Sequence, residues 1–431
     1  MDKVQFQLEA TLPELKDLHE KGLFSKHEIN EITRRRTSFE MSLIRRITRK
    51  DDFFRYAEYE INLERLRRVR WKRLKYHLNP PPPSASTFSL PRRTLYILKR
   101  ATARFSGDLA VWLAYIGYAS REGMRKVVSK GLTSALQHHP LSSELYLLIT
   151  YHHLHPSAPF PQSSLLSTPR PISPSSYDDD LAFSLDGISP ARTTLLLGLR
   201  LLPKSHELWR EYIKLELGWV EALRRRWKLL GIDETEGERS RDTSQGDDRE
   251  LLAGQGSFGP EGEEARKALL AGQLVMHAIK SALEAIPIHE GVGFREGLLG
   301  LLRIYPSKLR SKGMEVVYGD LEKMSGGDGV ADARARLLVL TRRLYDRAYD
   351  SARKETPGIV LDGVELVEEL GRIGKEIRQN AKMAKGSQWS EIAGSWLAAQ
   401  LDSCAKDGRI SMAGLNEQQC TLLCGEHVQG G

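Results

Sequence analysis

The sequence predicts an all-α protein, a right-handed α-solenoid of helix-pair repeats with inserted disordered loops. A recurring aromatic pair carries that expectation: Trp112 with Tyr115, Trp209 with Tyr212, and in weaker form Phe53 with Tyr56. Two of the three have an acid four residues after the tyrosine, Glu60 and Glu216. Spacing supports it as well, because Tyr151 lies 36 residues after Tyr115, near the roughly 34-residue period of helix-pair repeats. A single helix pair cannot bury its own apolar face, so it stacks on its neighbours and leaves long surfaces exposed.

The wider intervals have a local cause. Tyr56 to Tyr115 is 59 residues and Tyr151 to Tyr212 is 61, and each contains a proline-rich stretch, Pro80 to Pro83 and SAPFPQSSLLSTPRPISPSS. Proline fixes φ and removes a donor, so both read as loops between repeats. Ahead of two aromatic helices a second pattern recurs at helical spacing: Arg93, Tyr96, Arg100 and Ala101, then Ala191, Arg192, Leu196, Leu199 and Pro203. Phe53, Tyr56, Tyr96, Trp112, Tyr115, Tyr151, Pro203, Trp209 and Tyr212 are therefore expected in the repeat core.

Each element follows from its own pattern. Phe6, Leu8, Leu12, Leu15 and Leu18 make an apolar stripe that Gly22 ends. Ser25, with Glu28 three residues on, opens the next helix as a capping box. A long helix from about Asp51 to Leu78 is expected to turn Tyr56, Tyr59, Leu63, Leu66 and Val69 inward, opposite Arg65, Arg68 and Lys72. The expected organisation is a basic helical region at 1–79, a proline-rich linker at 80–91, repeats at 92–230 with an insertion at 156–189, and an acidic disordered insertion at 231–262. Further helices occupy 263–400, and an atypical tail 401–431. The acidic insertion has too few apolar residues to offset the entropy of ordering.

Charge is unevenly placed. Residues 1–104 hold 24 Lys and Arg against 13 Asp and Glu, an excess of 11 that exceeds the whole chain's +8. Arg34, Arg35 and Arg36 form one cluster, and Arg45, Arg46, Arg49 and Lys50 another. Arg65, Arg68, Lys72 and Lys75 then recur every three or four residues. The stripe reads in three ways: a contact for RNA phosphates or an acidic protein, a solvated helix face paired through Glu64, or an import signal. No aromatic-rich strand pattern for base readout accompanies it.

Chemistry is sparse. Cys404, Cys420, Cys424 and His427 lack paired knuckle spacing, and His138, His139, His152, His153 and His155 sit at helix ends beside Pro140 and Pro156. No catalytic, cofactor or metal residues are identified, and no small-molecule substrate is expected. Mean hydropathy is −0.40 and no apolar run is long enough to cross a bilayer. Three cysteines, all beyond residue 400, do not build a disulfide framework, and the acidic N-terminus lacks a signal-peptide pattern. A reducing compartment is expected.

At the repeat positions the chain resembles the half-a-TPR (HAT) repeat of RNA-processing proteins. With KVQFQLEATLPELKDLHEKGLFSKHEINEITRRRTSFEMSLIRR and FRYAEYEINLERLRRVRWKRL, residues 1–230 resemble the U3 small nucleolar RNA-associated protein 6 family; residues 272–306 fit more loosely. The resemblance implies a non-catalytic scaffold of the small-subunit processome, acting in pre-18S rRNA processing in the nucleolus. Implied partners are the WD-propeller subunits of the UTP-B subcomplex, the U3 snoRNP and pre-rRNA. The alternatives are a HAT scaffold of another machine, for splicing or mRNA 3′-end processing, and an enzyme on a helical-repeat frame.

Overall fold

The structure, a computed structural model, describes Gln5, Gln7, Glu9, residues 11–160, 185–229 and 268–269. It also describes residues 271–406 with breaks at 288, 306, 308, 325–329, 347–360, 362 and 384–387. Among these, every regular element is an α-helix. Phe6, Leu8, the acidic stretch 231–262, most of 156–189 and the tail beyond Lys406 lie outside the described residues. Two compact units divide near residue 190, inside the stretch expected as one run of repeats.

The first unit holds α1 (Leu12–Glu20), α2 (Lys26–Leu43), α3 (Lys50–Arg73), α4 (Ser89–Arg104), α5 (Leu109–Arg121), α6 (Arg125–His138) and α7 (Ser143–Leu154). Each packs on the next. Gly22 ends the first turn with φ +65°, a conformation glycine adopts without strain. Ser25 and Glu28 form the expected capping box, Glu28 N–H donating to Ser25 Oγ (3.3 Å) and Ser25 N–H to Glu28 Oε2 (2.9 Å). Phe53, Tyr56, Trp112, Leu132 and Leu148 belong to one apolar core spanning α3 to α7.

The turn between helices is a repeated device, bond for bond. Phe105 N–H donates to Ala101 O (2.8 Å), Asp108 N–H to Phe105 O (3.1 Å) and Trp112 Nε1–H to Ser106 O (2.9 Å). One repeat later His139 N–H donates to Ala135 O (2.9 Å), Ser142 N–H to His139 O (3.3 Å) and Tyr146 Oη–H to Pro140 O (3.0 Å). In the second unit Leu202 N–H donates to Gly198 O (2.8 Å), Ser205 N–H to Leu202 O (3.1 Å) and Trp209 Nε1–H to Pro203 O (2.8 Å). The aromatic thus donates to a carbonyl that the turn's own backbone bonds do not use.

Several expectations change. The aromatic equivalent to Trp112 is Tyr146, 34 residues on, and not a residue aligned through Tyr151. Tyr151 is half-buried late in α7, against His155 (4.8 Å) and Phe160 (5.7 Å). Tyr96 is exposed, because α4 buries Leu90, Thr94, Ile97, Leu98 and Ala101 and leaves Tyr96 outside with Arg100 over its ring (5.5 Å). Pro203 is exposed and contributes its carbonyl alone. Leu66 and Val69 are also exposed, since Arg67, Arg70 and Trp71 take the inner side of α3 there. Residues 80–88 form a loop as expected, tied to α1 where Ser84 Oγ–H and Ser86 N–H (2.9 Å) donate to Asp17, but residues 89–91 already belong to helix α4.

The second unit contains α9 (His206–Leu229), α10 (Gln273–Ala285), α11 (Val292–Ile304), α12 (Leu309–Met324), α13 (Val330–Leu340), the single turn α14 (Arg342–Tyr345), α15 (Gly363–Met383) and α16 (Gln388–Lys406). Between the units' main runs lies α8 (Leu185–Leu201), so residues 185–189, expected in the insertion, are helical. Ile188, Ala191 and Leu195 share one buried helical side, which holds the helix despite Pro190. Helix α16 likewise carries residues 401–406, expected in the tail. Trp209, Tyr212, Ile279, Leu298 and Tyr318 share a core in this unit, and Leu366, Leu370, Ile373 and Trp389 form a second.

Candidate basic contact surface

Helix α3 organises the basic region through what it buries. Arg36 and Glu60 are both fully buried; Arg36 Nε and Nη2 donate to Glu60 Oε1 (2.8 Å) and Oε2 (2.9 Å), and Nη2 also to Glu14 Oε1 (3.1 Å). Arg93 adds a donation to Tyr56 Oη (3.2 Å), and Arg100 Nη1 a forked pair to Glu40 (3.0 Å to each oxygen). Burial alone would lower the Arg36 pKa, but the charges of Glu60 and Glu14 more than reverse this and hold it above the ordinary arginine value. Arg36 is therefore a strut joining α1, α2 and α3, not a surface contact. Its signal was present in the sequence, since Ile32, Arg36, Glu40 and Leu43 fall on one helical side.

The remaining candidates separate into two patches. Arg45, Arg46 and Arg49 are exposed in the turn before α3, beside Ile44 and the 82% exposed Ile47. Arg65, Lys72 and Lys75 are exposed near the other end of α3, joined by Arg73, which sequence reasoning passed over. From Arg49 to Arg73 the helix spans about 36 Å at 1.5 Å per residue, so the patches are distinct. Arg34 is exposed on α2, while Arg35 pairs with Glu31 (3.3 Å).

Arg68 is a paired residue. Its Nε donates to Glu64 Oε1 (2.7 Å) and its Nη2 to Glu122 Oε2 (2.6 Å). Arg67 also holds Glu64 (2.6 Å) and lies over Trp71 (5.6 Å); Arg70 holds Glu28 (2.6 Å) and lies over Phe24 (4.9 Å). Arg65, Lys72, Arg73 and Lys75 have no ion pair among the described residues, so their charge is presented outward. The apolar Leu66 and Val69, each more than 40% exposed, lie among them. Cations here also suit the negative end of the α3 dipole.

The histidines are engaged in packing. His138 stacks on Trp112 (5.4 Å), His139 Nε2 donates to Ser106 O (2.9 Å), and burial pushes the pKa values of His152 and His153 down. Among the described residues no group of three His, Cys, Asp or Glu is placed to hold a metal ion, and no helix is long and apolar enough to cross a membrane. Cys420, Cys424 and His427 lie outside them.

Residues 8–93, which carry both patches, match the family described as U3 small nucleolar RNA-associated protein 6. The Schizosaccharomyces pombe protein named U3 small nucleolar RNA-associated protein 6 is 34% identical over 230 residues, which cover 53% of this chain and 41% of that protein. The mouse and human homologues of that name are each 28% identical over 222 residues, covering 52% of this chain and 32% of theirs. The chain thus spans about two fifths or less of the length of these curated relatives.

Proposed function

We propose that the chain, whose residues 8–93 match the U3 small nucleolar RNA-associated protein 6 family, is a member of it and a non-catalytic HAT-repeat scaffold in U3-dependent processing of pre-18S rRNA. On this reading it acts in the nucleolus with the U3 snoRNP, among the WD-propeller subunits of the UTP-B subcomplex. The observation that carries it is a coincidence of place. The segment matching the family, residues 8–93, lies within the region that holds the excess positive charge and presents Arg65, Lys72, Arg73 and Lys75 without carboxylate partners among the described residues. Outward cations on a rigid helix, without an aromatic platform, suit backbone phosphates or an acidic protein surface and not base readout.

Support also comes from the repeated turn. Three copies of one hydrogen-bonded device are what a stacked helix-pair array requires. Affinity purification of the tagged chain from nuclear extract tests the proposal. U3 RNA, pre-rRNA and WD-propeller proteins are expected among the co-purified species, and recovery of spliceosomal or messenger RNA in their place would overturn it.

A further inference from the structure

The second unit contains an arginine-lined cleft that stands apart from the N-terminal patches. Its volume is about 360 Å³, and Arg336, Val339, Leu340, Arg342, Arg343, Arg372 and Glu376 line it. Four of the lining residues are arginines, contributed by α13, the turn α14 and the middle of α15. Beyond residue 104 the chain is slightly acidic, so this concentration runs against the local composition.

The described carboxylates nearby are already engaged. Arg372 is held by Glu369 (2.6 Å) and Glu376 (2.5 Å) and also donates to Leu340 O (3.3 Å). That last bond covers a carbonyl at the C-terminus of α13, where the helix dipole would otherwise oppose an anion. Asp346 is shared between Arg303 (2.9 Å) and Arg342 (3.6 Å). Arg336 lies over the Trp389 ring (5.4 Å) and Arg342 over Tyr318 (4.7 Å), which fixes both planes. Arg343 is exposed and has no ion pair among the described residues. Among the described residues the ion pairs engage Arg303, Arg342 and Arg372 and leave Arg343 exposed.

We propose that this cleft binds the phosphate backbone of single-stranded RNA. Planar guanidinium forks match phosphate oxygens, and held arginines lose little entropy on binding. The two rings nearby are already covered by arginines and no ring among the described residues lines the cleft, so recognition falls on the backbone and binding is independent of sequence. The donors are side chains carrying single charges, not a backbone nest shaped around one phosphomonoester, which favours an extended phosphodiester chain over a phosphopeptide. The inference rests on the geometry of the second unit and does not require the reading above.

The test uses the full chain and a fluorescein-labelled oligouridylate, followed by anisotropy across a salt series. Arg343→Gln is expected to weaken binding on the order of tenfold, and to lower the slope of log affinity against log salt by about 0.7 if one phosphate contact is lost. Arg336→Gln should act in the same direction. Because Arg343 is exposed and has no ion pair among the described residues, its variant is expected to fold even if loss of the Trp389 contact harms the other. The same decrease should appear in a protein already carrying Arg65→Glu, Lys72→Glu and Arg73→Glu, which separates the cleft from the N-terminal patch. Unchanged affinity and slope in Arg343→Gln with helix content intact would overturn the proposal. So would a phosphoserine peptide that displaces the oligouridylate at lower concentration than unlabelled RNA does.

Discussion

Arg36 shows how one buried charge can govern an entire region. It joins α1, α2 and α3 through Glu14 and Glu60, and neither Arg36 nor Glu60 reaches water. Arg36→Met would leave Glu60 buried with only Arg93, 3.7 Å away, as counter-charge; breaking a buried pair costs about 3 to 5 kcal/mol, and urea denaturation should show it. A loss below about 1 kcal/mol, the range of exposed pairs, would mean that the network is solvated. Glu28 and Asp17 supply a pH dependence. Hydrogen bonds from Arg70 hold the Glu28 carboxyl at about 2; at Asp17 burial opposes ionisation, but bonds from Ser84, Ser86 and Lys21 prevail and also bring it to about 2. Both folded values lie below the ordinary ones, so their stabilisation is complete above about pH 4.5 and is lost as pH falls towards 2. Glu28→Gln should flatten the melting temperature between those limits; a curve identical to the parent's would count against the Arg70 bond.

At the scale of the element, the inter-helix turn makes the repeat. Tyr146→Phe keeps the buried ring and removes only the donor to Pro140 O, so about 1 kcal/mol should be lost, without change in helix content. Trp112→Ala removes ring and donor together and should cost about 3 to 5 kcal/mol. Lys75 ends α3 with φ +58°, the one described residue other than glycine at positive φ, and left-handed backbone costs an L-residue about 1 to 2 kcal/mol. Lys75→Gly should therefore leave thermal stability unchanged or raise it while removing one outward charge. A drop in melting temperature would show that the lysine side chain has a structural contact.

For the whole molecule, helix-on-next-helix packing in the first unit implies that damage spreads along the array. Hydrogen exchange in Trp112→Ala should show lost protection in α4, α5 and α6, with α1 affected least, because stability in such arrays passes between neighbours. Uniform loss from α1 to α7 would indicate a single cooperative block. Reversing Arg65, Lys72 and Arg73 to Glu should preserve the circular dichroism spectrum and weaken association with pre-rRNA particles. Nuclease sensitivity then distinguishes an RNA partner from an acidic protein, since salt weakens both.

Local patterns were legible from the sequence because they depend on neighbours along the chain. Helical periodicity, the Ser25–Glu28 capping box, the glycine stop at Gly22 and the recurrence of Trp112 and Trp209 all arise within one or two turns of backbone. The charge excess of the first 104 residues is likewise a property of composition. Which charges point outward was decided only by tertiary packing. Arg36 lies inside, and Arg67 and Arg70 close the inner side of α3 in place of Leu66 and Val69, because carboxylates on other segments or turns, Glu14, Glu60, Glu64 and Glu28, meet them there. Tyr146 replaced Tyr151 in the repeat for a related reason: the register counts from a carbonyl in the turn, and the sequence carries no mark of which carbonyl needs a donor. The arginine cleft is of the same kind, since Arg336 and Arg372 are 36 residues apart and become neighbours only when α13 and α15 are folded.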